Sequence, residues 1–334
     1  MCFMSQKKYS ESAEFGKLVS AIKKKRCILF LGAGINRKPP EASGTSYTFD
    51  INDQLPDGKG LCERLISKSG LDFPEYVDKF NLQQVSQYIV LESKGNRFEL
   101  NEMLLDILHS QQKPSPLLLA LADLEFPLVI TTNYDRLFEK AVLNRKFIEF
   151  QDASINYKKS NHKTYGKEGK TLLNVMVYSK DVKEETPKYV PISKESSNSI
   201  PTLFKMHGDL CLEGANGIDS AVITDEDYID FIMRMTSTKN YPVPQGILQN
   251  FFEMPIIFIG YSLKDYNFRL LMKILHKDKN NYPGRYSIDP KPDELIKKIF
   301  VERFSTSFFI EDAWTVIPEI YHQALGKPMP NYYG

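Results

Sequence analysis

The sequence lacks paired cysteines, long apolar runs and an excess of charge, and each absence excludes a class of protein. The four cysteines (Cys2, Cys27, Cys62 and Cys211) form no C-x-x-C pair, which disfavours a zinc module or a disulfide framework and fits reduced thiols. The apolar runs CILFL and PIIFI are too short to cross a bilayer, and the amino-terminal segment has no secretory apolar core. Lysine and arginine (43) balance aspartate and glutamate (42), which gives no support for nucleic-acid or membrane binding. We therefore expect a cytoplasmic protein.

What the sequence does contain is a series of short apolar segments, each followed by a helical pattern. CILFL, PLVI and PIIFI are continuous apolar runs of strand length, and TLFKM is nearly so. Strands covered on both faces have this composition, and their alternation with helices is typical of parallel sheets. The predicted fold class is α/β: a Rossmann-like, mostly parallel sheet with helices on both faces, plus a helical insertion. Ligands bind such sheets at the carboxyl ends of the strands.

We expect one domain over residues 1–330. Residues 61–125 carry helical apolar stripes and form the helical insertion. Residues 144–200 are rich in lysine, serine and asparagine and form a variable insertion, in which only TLLNVMVY is expected to be a strand. The Rossmann-like core then comprises approximately residues 20–60, 126–143 and 200–325.

Glycines follow the first apolar strand, in LGAGIN. Gly32 and Gly34 allow the backbone to turn tightly and to approach a ligand, and the N–H groups of a following helix would suit a pyrophosphate. The third glycine of the dinucleotide fingerprint is missing. At this point a simple tight turn therefore remains an alternative.

Polar and aromatic residues follow the second strand, in PLVITTNYDRLFEKA. Thr132 and Asp135 have the spacing of a helix-capping pair, and Tyr134 begins the apolar stripe of the next helix. Capping and packing leave Thr131 and Asn133 as surplus polar groups at the end of a strand.

Two further strand ends carry side chains of types that take part in catalysis. His207 ends the third strand; a lone histidine is usually structural, but an imidazole in such a crevice can act as a general base. Gly260 and Ser262 end the fourth strand and match part of the serine-hydrolase motif G-x-S-x-G. Lys264 replaces its last glycine and no Asp-then-His order follows, so that alternative is disfavoured.

In this order, the four strand ends resemble those of the sirtuin family. GAGIN resembles its phosphate loop, TTNYD its T-Q-N-x-D motif, HG its catalytic histidine-glycine pair, and GYS its G-[TS]-S strand end. Longer phrases, among them VITTNYDRLFEKA, ITDEDYIDFI and FIGYSLKDYNFRLL, are similar to bacterial sirtuin-like NAD hydrolases of anti-phage defence. The resemblance covers roughly residues 20–325.

The sequence departs from the protein-deacylating sirtuins in two main respects. The C-x-x-C pairs of their zinc module are absent. A clear G-I-P-D-F-R segment after the phosphate loop is also absent, and LPDGKGL is its nearest counterpart. Both departures disfavour peptide deacylation, and no metal is expected. Asn36 stands where the family usually has serine, which alters one phosphate contact without abolishing binding.

The resemblance implies a substrate and a set of site residues. NAD+ would be cleaved between nicotinamide and ribose, giving nicotinamide and ADP-ribose, and its depletion would serve anti-phage defence by abortive infection. Asn133 would hold a water molecule or a ribose hydroxyl at the anomeric carbon, and His207 would act as the base. The implied NAD+-binding residues are Gly32, Ala33, Gly34, Asn36 and Thr131 at the pyrophosphate, Tyr134 and Asp135 at the carboxamide, and Gly260 and Ser262 at the adenosine half.

Other functions stay open at this point. A non-catalytic sensor of NAD or ADP-ribose would not need both Asn133 and His207, and a sirtuin-type deacylase or ADP-ribosyltransferase would modify a protein. A constitutive NAD hydrolase would poison its own cell. The resemblance therefore implies an off state, relieved by homo-oligomerisation or by a separate phage-sensing protein or DNA-translocating ATPase. No membrane or direct nucleic-acid partner is expected.

Overall fold

The computed structural model describes residues 9–40, 55–108, 113–146, 148–159, 162–178, 200–210, 221–235, 243–275 and 283–333. Within these segments, nine strands form one sheet and eleven α-helices surround it. The strands are β1 (Ile28–Leu31), β2 (Leu128–Thr131), β3 (Ser154–Lys159), β4 (His162–Lys167), β5 (Lys170–Val177), β6 (Thr202–Lys205), β7 (Ile256–Ile259), β8 (Arg285–Ile288) and β9 (Thr306–Phe309).

The helices account for most of the remaining described residues, and none of those described is long and apolar enough to span a membrane. They are α1 (Ala13–Lys23), α2 (Gly58–Ser69), α3 (Leu82–Glu92), α4 (Phe98–Leu108), α5 (Pro116–Asp123), α6 (Leu137–Asn144), α7 (Asp225–Met235), α8 (Gln245–Glu253), α9 (Tyr266–Leu275), α10 (Glu294–Phe304) and α11 (Ala313–Leu325). The sequence predicted helices in the region that α2 to α5 occupy.

The strand order makes the sheet Rossmann-like. It runs β3-β4-β5-β6-β2-β1-β7-β8-β9, and every neighbouring pair from β5 to β9 is parallel. Its stretch β6-β2-β1-β7-β8-β9 has the order 3-2-1-4-5-6 of dinucleotide-binding sheets. The predicted α/β class with a mostly parallel sheet is therefore confirmed. The chain changes direction across the sheet between β1 and β7, where such sheets bind their ligands.

One part of the sheet differs from the sequence prediction. The region 144–200 contributes three strands, not only the predicted TLLNVMVY segment, which forms most of β5. β3 and β4 pair antiparallel with each other and with β5, and they extend one edge of the sheet. Their sequences are largely polar, even though the centre of β4 is buried, so apolar patterning did not reveal them.

Alternate residues of the central strands enter two separate cores. Ile28 and Phe30 of β1 point to one face, where the rings of Phe30 and Phe268 lie 4.6 Å apart. Leu29 and Leu31 enter the core on the other face. Burial on both faces explains why the strand is apolar throughout.

The strand register brings four strand ends to one edge of the sheet. Leu31 of β1 pairs with Thr131 of β2 and with Ile259 of β7. Thr131 in turn pairs with Lys205 of β6. The four predicted motifs therefore follow their strands at the same edge of the sheet. They are the glycines after β1, TTNYD after β2, His207 after β6 and GYS after β7.

The helical insertion is fastened beside this edge by an ion pair. Arg97, between α3 and α4, lies 2.8 and 2.7 Å from the two carboxylate oxygens of Asp227 on α7, and it donates to the carbonyl of Ala221 at 3.1 Å. Asp227 also accepts the backbone N–H groups of Ile223 and Thr224. Charge-assisted hydrogen bonds of this kind are strong, so the insertion is held against the segment that leads into α7.

Candidate functional site

The ends of β1 and β7 pack against each other through glycine backbones. The N–H of Gly32 donates to the carbonyl of Ile259 at 3.0 Å, and that of Gly34 donates to the carbonyl of Gly260 at 2.9 Å. A Cβ atom on Gly32 would lie 2.3 Å from the Gly260 oxygen, and one on Gly260 would lie 2.2 Å from the nitrogen of Ile35. Gly260 also has a φ of +65°, which favours glycine. The contact between two strand ends therefore requires these glycines, whatever ligand binds above them.

Replacing Gly32 with alanine should destabilise the protein because the new Cβ atom would meet backbone atoms of the β7 end. We expect a loss of about 1–3 kcal/mol in the free energy of unfolding, measured by chemical denaturation. Gly16→Ala is the matched control, since nothing lies within 4 Å of its added Cβ atom in α1. That control should gain about 0.5–1 kcal/mol. Equal stability of the Gly32→Ala variant and the parent would contradict this role of the glycine.

A cavity of about 330 Å³ opens where β1 and β7 meet. Its size is within the range of small-molecule sites. Four of the nine predicted NAD+-binding residues line it, whereas Gly32, Asn36, Thr131, Tyr134 and Asp135 do not. The four are Ala33, Gly34, Gly260 and Ser262. The predicted catalytic residues Asn133 and His207 do not line it either.

The rim of this cavity combines charges of both signs with a buried indole. Arg37 and Asp57 form an ion pair at 2.7 Å, and Nε1 of Trp314 donates to the carbonyl of Arg37 at 3.0 Å. The chain after the glycines is thereby tied to the starts of α2 and α11. A guanidinium suits a phosphate, and an indole offers an aromatic face. Asn36 is buried, and its side-chain oxygen has no hydrogen-bond partner within the described segments.

The predicted polar residues after β2 make several structural contacts. The hydroxyl of Thr131 donates to the carbonyl of Leu31 at 3.1 Å and accepts the N–H of Asn133 at 3.0 Å. The hydroxyl of Tyr134 donates to the carbonyl of Val222 at 2.6 Å. Thr131 thus joins β1 to the loop that carries Asn133.

Asp135 lies two residues before α6. Its carboxylate accepts the N–H of Leu137, the first residue of that helix, at 2.9 Å, whereas Arg136 at the N-cap position makes no side-chain capping bond. Of the predicted capping pair, Asp135 therefore contacts the start of the helix. Burial raises the pKa of the Asp135 carboxyl, although the hydrogen bond from Leu137 and the ammonium of Lys205 act in the opposite direction. The group is therefore more easily protonated than an exposed aspartate.

His207 is buried at the end of β6. Its Nε2 lies 3.6 Å from Oδ2 of Asp265 and forms no hydrogen bond within the described segments. The ring meets that of Tyr228 edge-on, with centroids 5.3 Å apart. Burial lowers the pKa of His207, and the charge of Asp265 offsets part of that effect. A histidine with a lowered pKa is neutral at pH 7, as a general base must be.

The loops after β2 and β6 meet at Val222. Its N–H donates to the carbonyl of His207 at 2.9 Å, and its carbonyl accepts the hydroxyl of Tyr134. Beside it, the N–H of Met206 donates to the carbonyl of Thr131 at 2.8 Å. Residues predicted from two separate motifs therefore share one backbone partner.

A buried lysine further joins these two loops. Nζ of Lys205 donates to the carbonyl of Asp135 at 2.8 Å and lies 3.4 Å from Asp209 and 3.5 Å from Glu139. Lys163 of β4 contacts the other oxygen of Asp209 at 2.9 Å. The side chains of both lysines and both acids are buried, so their charges are balanced within the protein.

The connection between β7 and α9 links the cavity to the histidine. Gly260 and Ser262 line the cavity, and Asp265, further along the same connection, faces His207. β6 and β7 are separated by β2 and β1, which is roughly 14 Å at about 4.8 Å per strand spacing. The cavity and the imidazole therefore lie at the same edge of the sheet, at strands that are three strand spacings apart. Within the described segments, no group of three or more histidine, cysteine, aspartate or glutamate side chains could hold a metal ion.

Comparison with known proteins decides the family. The family described as the SIR2-like domain matches residues 127–311, more than half of the chain. The chain belongs to this family. The predicted resemblance to sirtuin-like proteins is thereby confirmed.

Several relatives of this SIR2-like protein are named for NAD or for defence. NAD(+) hydrolase ThsA of Acinetobacter baumannii (strain 532279) is 25% identical over 324 residues, which are 92% of this chain and 54% of that protein. NAD(+) hydrolase ThsA of Enterococcus faecium is 25% identical over 88% of this chain and 48% of its own. Defense-associated sirtuin 2 of Bacillus subtilis is 32% identical over 30% of this chain and 10% of its own. The chain spans about half the length of these two ThsA relatives.

The solved structure of a Sir2 homologue mutant in complex with ADP-ribose matches with a TM-score of 0.39 and 14% identity, covering 93% of this chain and 96% of that one.

The SIR2-like motifs did not single out several charged residues that shape the site. Lys205 and Asp209 flank the histidine in KMHGDL. A charged residue in a buried strand needs a partner of opposite charge, so Lys205 itself was a sequence signal for a buried ion pair. Asp265 accepts the N–H of Phe268 at 2.9 Å, and from the sequence its position just before α9 predicts only this helix-capping role. Its approach to His207 depends on the packing of α9 and is not visible in the motif.

Proposed function

We propose that this SIR2-like protein is an NAD+ glycohydrolase that cleaves the nicotinamide–ribose bond to give nicotinamide and ADP-ribose. We further propose that it depletes NAD during anti-phage defence, as an abortive infection system. The observation that carries the proposal is a buried histidine, its pKa lowered by burial, on the same edge of the sheet as a glycine-lined cavity at the switch point of a dinucleotide-binding strand order. The relatives named NAD(+) hydrolase support the same reaction.

In this proposal the substrate lies across the carboxyl edge of the sheet. The adenosine half enters the cavity beside Gly260 and Ser262, and the pyrophosphate lies near Ala33 and Gly34. Arg37 at the rim has the charge to face a phosphate. The nicotinamide ribose then reaches the ends of β2 and β6, where Tyr134 and Asp135 face the carboxamide.

The chemistry needs a good leaving group, a positioned water and a base. Nicotinamide leaves with the electron pair of the glycosidic bond, which neutralises its ring and leaves an oxocarbenium-like sugar. Asn133 orients the water, whose oxygen attacks the anomeric carbon while its proton passes to His207. Thr131 holds the backbone of Asn133, and Lys205 holds the carbonyl of Asp135. The loop that carries Asn133 is therefore fixed at both ends, which suits the orientation of a water molecule and a sugar.

An active NAD+ glycohydrolase needs control in its own cell. We propose that the protein works as a homo-oligomer and that a separate phage-sensing protein, or a DNA-translocating ATPase, relieves an off state.

The direct test is to incubate the purified protein with NAD+ over a wide range of protein concentrations and to separate the products by chromatography. We expect nicotinamide and ADP-ribose in equal amounts, with the rate per molecule rising if oligomers form. A parallel incubation with an acyl-lysine peptide detects deacylation, and transfer of labelled ADP-ribose to protein detects a transferase. Tight binding of NAD+ without nicotinamide at any protein concentration, with or without the protein encoded beside it, would contradict hydrolysis and establish a sensor.

A further inference from the structure

A carboxylate, that of Asp265, contacts the buried histidine of the proposed site. Oδ2 of Asp265 lies 3.6 Å from Nε2 of His207, and its charge acts on this imidazole. Asp265 precedes α9, whereas His207 follows β6, so the two groups meet because α9 packs against α7 and one face of the sheet.

The carboxylate of Asp265 is held in place by two donors. Its Oδ1 accepts the N–H of Phe268 at 2.9 Å, and its Oδ2 accepts the hydroxyl of Tyr228 at 3.2 Å. Oδ2, the oxygen bonded to Tyr228, is also the one nearest His207. Bonds to both oxygens restrict rotation of the carboxylate, so its charge stays close to the imidazole.

The groups around the histidine leave Asp265 as the charge that acts on it. Tyr228 and Phe231 of α7 present ring edges, with centroids 5.3 and 6.0 Å from that of His207. Burial raises the pKa of Tyr228 well above its ordinary value, and the charge of Asp265 adds to this effect. The phenol is therefore neutral over the pH range in which histidine titrates. Burial lowers the pKa of His207, and Asp265 is the group that opposes this.

We propose that Asp265 is a positioning residue, which orients the His207 ring and stabilises the imidazolium formed when His207 accepts a proton. In the proposed hydrolysis, the proton comes from the attacking water, and the positive charge develops beside a fixed negative charge in a buried setting. The assignment of a base rests on the proposed function, whereas the pairing of the two side chains does not.

The first experiment measures that pairing without any turnover. Asp265→Asn removes the charge but keeps an oxygen that can cap α9. The pKa of His207 is followed by NMR of protein labelled at histidine, with its signal identified by its loss in the His207→Gln variant. We expect the pKa of His207 to fall by about one pH unit or more in the Asp265→Asn variant. Asp230→Asn, which removes an exposed carboxylate of α7, should leave it unchanged. An unchanged pKa in the Asp265→Asn variant would overturn the proposal.

A second variant guards against misfolding of the first. Tyr228→Phe keeps the charge and the ring but loses the bond to Oδ2. It should lower the pKa of His207 in the same direction but by less, because the carboxylate is then free to turn away. No change in a folded Tyr228→Phe variant would also count against positioning.

Turnover separates this inference from the proposed function. If the parent releases nicotinamide, the Asp265→Asn variant should do so about 10- to 100-fold more slowly, part of the roughly 100- to 10,000-fold that a positioned base supplies. The acidic limb of its pH–rate profile should move to lower pH, together with the pKa found by NMR. If the parent releases none at any protein concentration, with or without the protein encoded beside it, hydrolysis is contradicted, yet the NMR result still decides whether Asp265 governs the histidine.

Discussion

Replacing His207 with alanine should reduce the rate of nicotinamide release by about 100-fold or more, because a positioned general base contributes about that much or more. The imidazole is buried at a strand end beside the loop that carries Asn133, and burial keeps it neutral and able to accept a proton. Asn133→Ala should lower the rate in the same direction, since the attacking water would lose its orientation.

Two matched controls separate chemistry from the loss of a side chain. His322→Ala removes an exposed histidine from the last turn of α11, and Asn144→Ala removes an exposed asparagine from the end of α6. Both should turn over NAD+ at the parent rate. Thermal unfolding checks that all four variants are folded at the assay temperature. Parent-like turnover by either folded site variant would show that its residue has been assigned the wrong role.

The pH dependence of the parent rate should carry the signature of this histidine. A base is active above its pKa, and burial lowers the pKa of His207 below the ordinary value of about 6.5. The rate should therefore hold its plateau as the pH falls past about 6.5 and decline only in more acidic solution.

Replacing Lys205 with methionine should lower the free energy of unfolding by about 3–5 kcal/mol, the usual cost of removing one partner from a buried ion pair. Lys205 faces Asp209 and Glu139 in the interior, and Asp209 retains a second lysine, Lys163, in direct contact. The carbonyl of Asp135 would also lose its donor, so the loop with Asn133 should loosen. Chemical denaturation measures the stability, and hydrogen exchange of the loop measures the loosening.

The matched control is Lys298→Met, which removes an exposed lysine from α10 and should change stability by no more than about 0.5 kcal/mol. Burial alone would raise the pKa of Asp209, but Lys205, Lys163 and Arg136 hold it well below its ordinary value. Such a group stabilises the fold above its unfolded pKa of about 3.9, and this contribution is lost as the pH falls through the folded pKa.

Burial alone would lower the pKa of Lys205, but Asp209 and Glu139 raise it, so its contribution is present below about pH 10.4 and is lost as the pH rises through the folded pKa. The difference between the parent and Lys205→Met should therefore be largest between about pH 4 and 10 and shrink in acid. A Lys205→Met variant as stable as the parent at pH 7 would show that this buried lysine contributes no net stability.

Much of the site could be predicted because its parts are local. Glycines after β1, TTNYD after β2, His207 after β6 and GYS after β7 are each a short motif at the end of an apolar run. In a parallel sheet such ends share one edge, so locating the strands also located the side chains. The polar strands β3 and β4 escaped prediction because no apolar pattern marks them.

The sequence by itself determined the α/β class, the parallel centre of the sheet and the identity of the groups at its carboxyl edge, since apolar runs and strand-end motifs depend on neighbouring residues alone. Only the tertiary structure decided that Gly260 presses on Gly32 and that Asp265 faces His207. It also decided that Lys205 is neutralised inside the protein. These contacts join residues far apart in the chain, and the packing of α9 and the strand order bring them together. No local pattern records which distant partner a buried group will meet.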